Sequence, residues 1–224
     1  MRFYVSSEVR ALGIDAQAIL VRNMRIANRN SALERLKKQL VDIVRSRNLQ
    51  EDPILAGYRE HYQRLGYSGY VSPAENLMRT IIVNGRLPTI NTAVDIYNLV
   101  AVESSLSLGA HDTAKIVGDP RLCVTAGTER YLPLNGKELV TLPAGEYACA
   151  DDEKVLCRLD VKQCEETKVT KATSEFLVYV QGNRFTTAAN MQSALRRIGE
   201  LARDIGGGEV CLLSENEQSQ YTSP

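Results

Sequence analysis

The apolar residues of this chain change their period near Gly109, and that change limits the folds open to it. Before Gly109 they recur every three or four residues, as on helices packed to one side. After it come short apolar runs, such as Arg121-Leu122-Cys123-Val124 and Val155-Leu156-Cys157, separated by Gly, Pro, Asn and Asp. Helices and strands segregated in this way predict an α+β fold, with a mainly antiparallel sheet core over about 121–180 and helices packed against it. A parallel, doubly wound sheet does not fit, because there strands and helices alternate.

Two strands are expected first, over 3–5 and 14–21, the second with alternating apolar residues. Ser31 is the expected N-cap of the next helix, with Glu34 at the capping-box position and Leu33, Leu36, Leu40, Ile43 and Val44 as its core stripe. Its cations, among them Arg35, Lys37, Lys38 and Arg45, read as a solvated face, with a nucleic-acid footprint as the alternative. Helices follow from Pro53 and from Ser72-Pro73, the latter ending at Gly85. Residues 90–102 then form a helix that is apolar around most of its circumference. Asn91, Asp95 and Asn98 interrupt it at i, i+4 and i+7, on one face. A buried polar stripe needs partners. It is either the wall of a pocket for a small polar ligand, or a capping box of Thr92 and Asp95 with Asn91 in the turn before.

Beyond the strands lies a polar loop over 163–170, a buried strand over 176–180, and a helix from about Thr187 that Gly206, Gly207 and Gly208 stop. A last strand spans 210–213, and 214–224 reads as a disordered tail. Residues 1–50 are read as a leader packed on a main domain of 51–213.

Lys plus Arg equals Asp plus Glu at 27 each, so any nucleic-acid contact requires a local basic patch. The cysteines at 123, 149, 157, 164 and 211 include no CxxC pair and no signal-peptide core opens the chain, so reduced thiols and a cytoplasmic setting are expected. No apolar run reaches the roughly 18 residues of a membrane span. No phosphate loop or dinucleotide fingerprint is present, and His61 and His111 lack ligand spacing with the cysteines, so neither cofactor nor metal is expected. His111 beside Asp112 is an oriented base or an inert turn residue. Cys164, beside Glu165 and Lys168, has no histidine near it in sequence and reads as inert.

The order Leu87-Pro88-Thr89-Ile90-Asn91, Val94-Asp95-Ile96-Tyr97-Asn98, Gly109-Ala110-His111-Asp112 resembles the B3/B4 editing domain of the bacterial phenylalanyl-tRNA synthetase beta chain. It resembles the freestanding relatives of that domain more closely. Gly118-Asp119-Pro120-Arg121-Leu122, Gly145-Glu146-Tyr147, Ala150-Asp151-Asp152 and Glu166-Thr167-Lys168-Val169-Thr170 extend the resemblance from roughly Tyr58 to Arg203. The freestanding relatives also carry a leader comparable to the first 50 residues.

The resemblance implies an aminoacyl-tRNA deacylase: a domain that clears mischarged tRNA by hydrolysing the ester at its 3′ end, with an oriented water and no metal or covalent nucleophile. It does not imply a complete tRNA ligase. The carry-over is partial. The synthetase histidine falls at Gly109, with His111 where a phenylalanine would be. A Gly-Gly pair falls at Gln163-Cys164, and a glutamate that helps recognise tyrosine falls at Tyr179. The expected site therefore comprises His111, Asp112 and Asp95 as catalytic groups. Asn91, Asn98, Gly109, Glu165, Thr167, Lys168 and Thr170 are expected to bind the aminoacylated tRNA end and its amino-acid moiety. A binding module without turnover, and an amidase or esterase of small aminoacyl compounds, are the rival readings.

Overall fold

The computed structural model describes residues 1–213; the expected tail, 214–224, lies outside them. In chain order the elements are β1 (Tyr4–Val5), α1 (Ser7–Ala11), β2 (Asp15–Arg22), α2 (Ser31–Ser46), α3 (Pro53–Arg64), α4 (Pro73–Asn84), α5 (Thr92–Ser104) and β3 (Ser107–Asp112). A 3-10 turn (Thr113–Lys115) leads to β4 (Arg121–Val124), β5 (Arg130–Tyr131), β6 (Val140–Thr141), β7 (Tyr147–Ala150), β8 (Val155–Arg158) and β9 (Lys162–Gln163). β10 (Glu175–Gly182), α6 (Ala188–Gly206) and β11 (Glu209–Leu213) complete the described chain.

The fold is α+β, as the change of period predicts, and two sheets organise it. One runs β11-β2-β10-β3 and is antiparallel throughout. The other runs β1-β4-β7-β8-β9, antiparallel except for the parallel pair β1–β4. The sheet core thus reaches beyond 121–180. β2, drawn from the first 22 residues, runs between β10 and β11. Its residues from Ile19 to Val21 are buried, so both of its faces are covered.

Successive residues of a strand face opposite sides, and β10 separates two cores in this way. Phe176, Val178 and Val180, with Leu108 and Ala110 of β3, face the layer of α2, α4, α5 and α6. Leu177 and Tyr179 face the second sheet, with Leu122, Tyr147, Cys149 and Leu156.

Local signals place most helix ends. Ser72 accepts the Glu75 N–H ahead of Pro73, and Gly85 closes α4 at φ 69°. Thr187 and Asn190 form a capping box, and Gly207 ends α6 at φ 71°. Two caps differ from expectation. Asn30, not Ser31, caps α2, its side chain accepting the Ala32 and Leu33 N–H groups. At α5 the cap is Asn91, which accepts the Val94 N–H, while Thr92 Oγ1 accepts the Ala27 N–H instead of forming a box with Asp95. All five cysteines are free. Among the described residues no helix is long and apolar enough to cross a membrane, and no His, Cys, Asp and Glu group is placed to hold a metal.

Candidate functional site

The segment 109–112, expected as a turn, is the second half of strand β3. Its alternation with Leu108 and Ala110 gives it an inner face, and β10 provides a partner from Phe176 to Gln181. Ser107, Gly109 and His111 share the face turned to the second core, opposite Gln181, Tyr179 and Leu177. A Cβ at Gly109 would lie 2.7 Å from the Tyr179 ring, so only glycine permits this approach. The ring is stacked between Phe3, at 5.5 Å, and His111, at 5.7 Å. Gly109→Ala should therefore cost about 1–3 kcal/mol by overpacking. Tyr179→Leu in the same chain should recover part of that cost. Urea unfolding checks both, and an unchanged midpoint for Gly109→Ala would disprove the tight contact.

His111 has no exposed surface. Its Nδ1 lies 2.7 Å from Thr167 Oγ1, which lies 2.8 Å from Cys164 Sγ. Its Nε2 has no hydrogen-bond partner among the described residues. Burial pushes the imidazole pKa down to about 3, so the ring is neutral at physiological pH. Asp112 does not orient it. One position along the strand, it accepts the Ala114 N–H (3.0 Å) and the Thr173 hydroxyl (2.7 Å). The 163–170 loop is tied to β3 through Gln163 Nε2 to Ala110 O (2.8 Å) and Asp112 N to Thr167 O (2.8 Å). Asn91 Nδ2 also holds it, by Val169 O at 3.2 Å, and Thr170 N–H donates to Thr173 Oγ1 at 3.0 Å. Glu165 and Lys168 form an ion pair with each other, and Glu165 also accepts the Asn135 N–H.

The stripe on α5 divides. α5 packs on one face of the four-stranded sheet, and His111 lies on the other. Only Asn91, at the start of the helix, reaches the loop that carries Thr167. Asp95, 1% exposed, accepts the Ile90 N–H (2.8 Å) and pairs with Lys37 Nζ (3.0 Å). Burial raises the Asp95 pKa, and the Ile90 N–H and Lys37 counter that. Lys37 also donates to Glu34 (2.9 Å) and Thr89 (2.7 Å), and it is 3% exposed. The expected solvated face of α2 is thus broken by a buried lysine, because Asp95 sits beneath it. The structure brings together His111, Thr167 and Gly109, with Asn91 and Thr170 supporting the loop. It does not bring Asp95 to them, and Asp112 meets Thr167 only through its backbone N–H, its carboxylate being turned to Ala114 and Thr173.

Sequence reasoning missed a polar nest that continues the same face of β3 and β10. Tyr62 and Tyr147 hydroxyls donate to Asp160 Oδ1, at 2.6 and 3.1 Å. Tyr58 Oη accepts the Ser107 N–H at 3.0 Å and donates to Gln181 O. His61 Nε2, Ser107 Oγ, Asp160 Oδ2 and Gln181 Oε1 are buried without a hydrogen-bond partner among the described residues. Burial pushes the His61 pKa down to about 4. Tyr58 and Tyr62 stand four residues apart in the sequence, at helical spacing. No local pattern distinguishes a buried tyrosine whose hydroxyl meets a carboxylate about 100 residues away.

Residues 60–206 match the family model described as the B3/4 domain. The chain belongs to the B3/4 domain family. The beta subunit of phenylalanine–tRNA ligase from Mycoplasmoides gallisepticum is 26% identical over 141 residues, 63% of this chain and 17% of that subunit. Those of Shewanella oneidensis and Methylococcus capsulatus are each 34% identical, over 40% and 53% of this chain and 11% and 14% of their own length. The B3/4 domain described here thus spans 17% or less of the length of these relatives. An N-terminal fragment of the phenylalanyl-tRNA synthetase beta subunit from Pyrococcus horikoshii shares its fold, with a TM-score of 0.53, 14% identity, and coverage of 93% of this chain and 50% of the fragment. Within this B3/4 domain, Gly109 and Tyr179 are register partners on adjacent strands, and Cys164 joins them through Thr167 and His111.

Proposed function

We propose that this B3/4 domain recognises the aminoacylated 3′ end of a tRNA and hydrolyses the ester of a mischarged one. The observation that carries the reading is His111, an uncharged imidazole with one unpartnered nitrogen, held by Thr167 on the strand face where the Tyr179 ring lies against Gly109. The amino-acid moiety enters by displacing the Tyr179 ring from over Gly109. Thr167 fixes the imidazole, and Nε2 orients a water on the ester carbonyl. The water oxygen bonds to the carbonyl carbon, the bond from that carbon to the ribose oxygen breaks, and the ribose oxygen takes a proton. The products are a free amino acid and a tRNA with its hydroxyl restored. With its pKa near 3, the imidazole stays unprotonated throughout the physiological range. Lys168, at the surface of the same loop, is the candidate for the terminal phosphate. The proposed chemistry needs no cofactor, and a cytoplasmic setting, with access to charged tRNA, is part of the proposal. Aminoacylation forms no part of the proposal.

One observation favours a second reading, binding of the aminoacyl end without turnover: Tyr179 closes the face over Gly109. A deacylation screen over mischarged tRNAs, with binding measured in parallel, separates the two. The expected result is turnover of at least one mischarged tRNA, lost on the order of 10²-fold in His111→Gln with binding retained. Binding with no turnover across the panel would establish the second reading. Full activity in His111→Gln would put the chemistry elsewhere.

A further inference from the structure

A surface cavity of about 680 Å³ lies where the first half of α2 meets the end of α4 and the segment 86–90. It is separate from the His111 face. Four cations line it, Arg29, Lys37, Lys38 and Arg86, and the one lining carboxylate is Glu34. Lys37 is fully engaged, since Glu34, Thr89 and the buried Asp95 accept from its ammonium group. Four positive charges therefore face two negative ones. Lys38 and Arg86 are exposed and have no acidic partner among the described residues, and Arg29 reaches Glu34 only at 4.0 Å. An ammonium and a planar guanidinium around a concave polar surface suit phosphate oxygens. The lining residues Thr89 and Ile90 directly precede Asn91, whose side chain holds Val169 of the loop that carries Thr167.

We infer that this cavity binds the phosphodiester backbone of an RNA strand through Lys38, Arg86 and Arg29. The inference rests on the tRNA reading above and adds a second, backbone-binding site to it. The test compares the full chain with two double charge reversals, K38E/R86E and, as a control of equal charge change on α6, R196E/R203E. Arg196 and Arg203 are likewise exposed. Affinity for a fluorescent deacylated tRNA is measured between 50 and 200 mM salt, after circular dichroism has shown both variants to be folded. K38E/R86E should bind at least tenfold more weakly, and its log–log salt slope should fall by about 1.4, for two single-strand phosphate contacts at roughly 0.7 each. The control should change affinity less than about twofold. Hydrolysis of an aminoacyl-adenosine, which has no backbone to reach the cavity, should be equal in K38E/R86E and wild type.

Equal losses in both variants would reduce the effect to net charge and overturn the inference. Wild-type affinity in K38E/R86E would overturn it while leaving the deacylase reading intact. Absence of tRNA binding by the wild-type chain would overturn both. Saturable binding of inorganic phosphate or of phosphatidylserine vesicles, abolished in K38E/R86E while tRNA binding persists, would assign the cavity to a different phosphate source.

Discussion

Replacing Asp95 with asparagine should destabilise the domain by about 3–5 kcal/mol, the usual cost of removing one member of a buried ion pair. The variant keeps the volume but removes the carboxylate charge, and its single amide oxygen cannot replace both the oxygen that accepts the Ile90 N–H and the one that accepts from Lys37, so the buried ammonium is left with Glu34 as its only anionic partner. Two-state urea unfolding measures the change. The double variant Lys37→Met/Asp95→Leu removes both charges and should lie close to wild type, because apolar residues of similar volume replace a desolvated pair. The same two proteins decide between a positioning and a catalytic role for Asp95. A double variant that is stable and still deacylates shows that Asp95 acts through packing. One that is stable and inactive returns Asp95 to the site. A cost below about 1 kcal/mol for Asp95→Asn would show that Lys37 reaches water when its partner is lost.

Acidification from pH 7.5 to 5.5 should destabilise the domain by about 3 kcal/mol, through its two histidines. Both are buried, and burial depresses both pKa values, to about 4 for His61 and about 3 for His111. Below the unfolded value near 6.5 the unfolded chain takes up protons that the folded chain does not, so stability falls with pH. At pH 5.5 each unfolded histidine gains about 1.4 kcal/mol by protonation, and neither folded one has yet titrated. Asp95 and Asp160 act the other way. Burial raises their pKa values, so their protonation favours the folded state as the pH falls and opposes the histidine effect. Urea unfolding at the two pH values is the measurement, and His61→Gln/His111→Gln should remove most of the slope. A double variant with the wild-type slope would assign it to other groups.

What the sequence disclosed, and what it withheld, follows the range of each interaction. The α4 and α6 ends were legible because Ser72, Pro73, Gly85, Thr187 and Gly207 act within a few residues of themselves. At α2 two neighbouring residues can both cap, and the sequence does not say that Asn30 reaches the helix N–H groups first. The 109–112 segment reads as a turn because Gly and Asp favour turns; it becomes a strand because β10 pairs with it. Lys37 reads as one cation of a wet face, and its burial is set by Asp95, 58 residues away. The resemblance located β3, β10 and the 163–170 loop, which do meet. It gave no sign that the sheet would stand between His111 and most of the α5 stripe, since that depends on which way α5 packs.

The placement of β2 bears on how the chain reaches this structure. Arg22 pairs with Glu175, 153 residues on, and β2 also supplies the pairing edge for β11. Such pairing is of high contact order, and the loop-closure entropy is lost before the pairing rewards it. During synthesis β2 is made well ahead of its partner, since Glu175 of β10 follows Arg22 by 153 residues. Between those moments β2 presents two open hydrogen-bonding edges, the kind of surface that recruits other strands. Removing everything before residue 60 would retain the family match and delete this strand, leaving β10 and β11 with facing, unfilled ladders. Such a fragment should aggregate on refolding where the longer chain remains monodisperse.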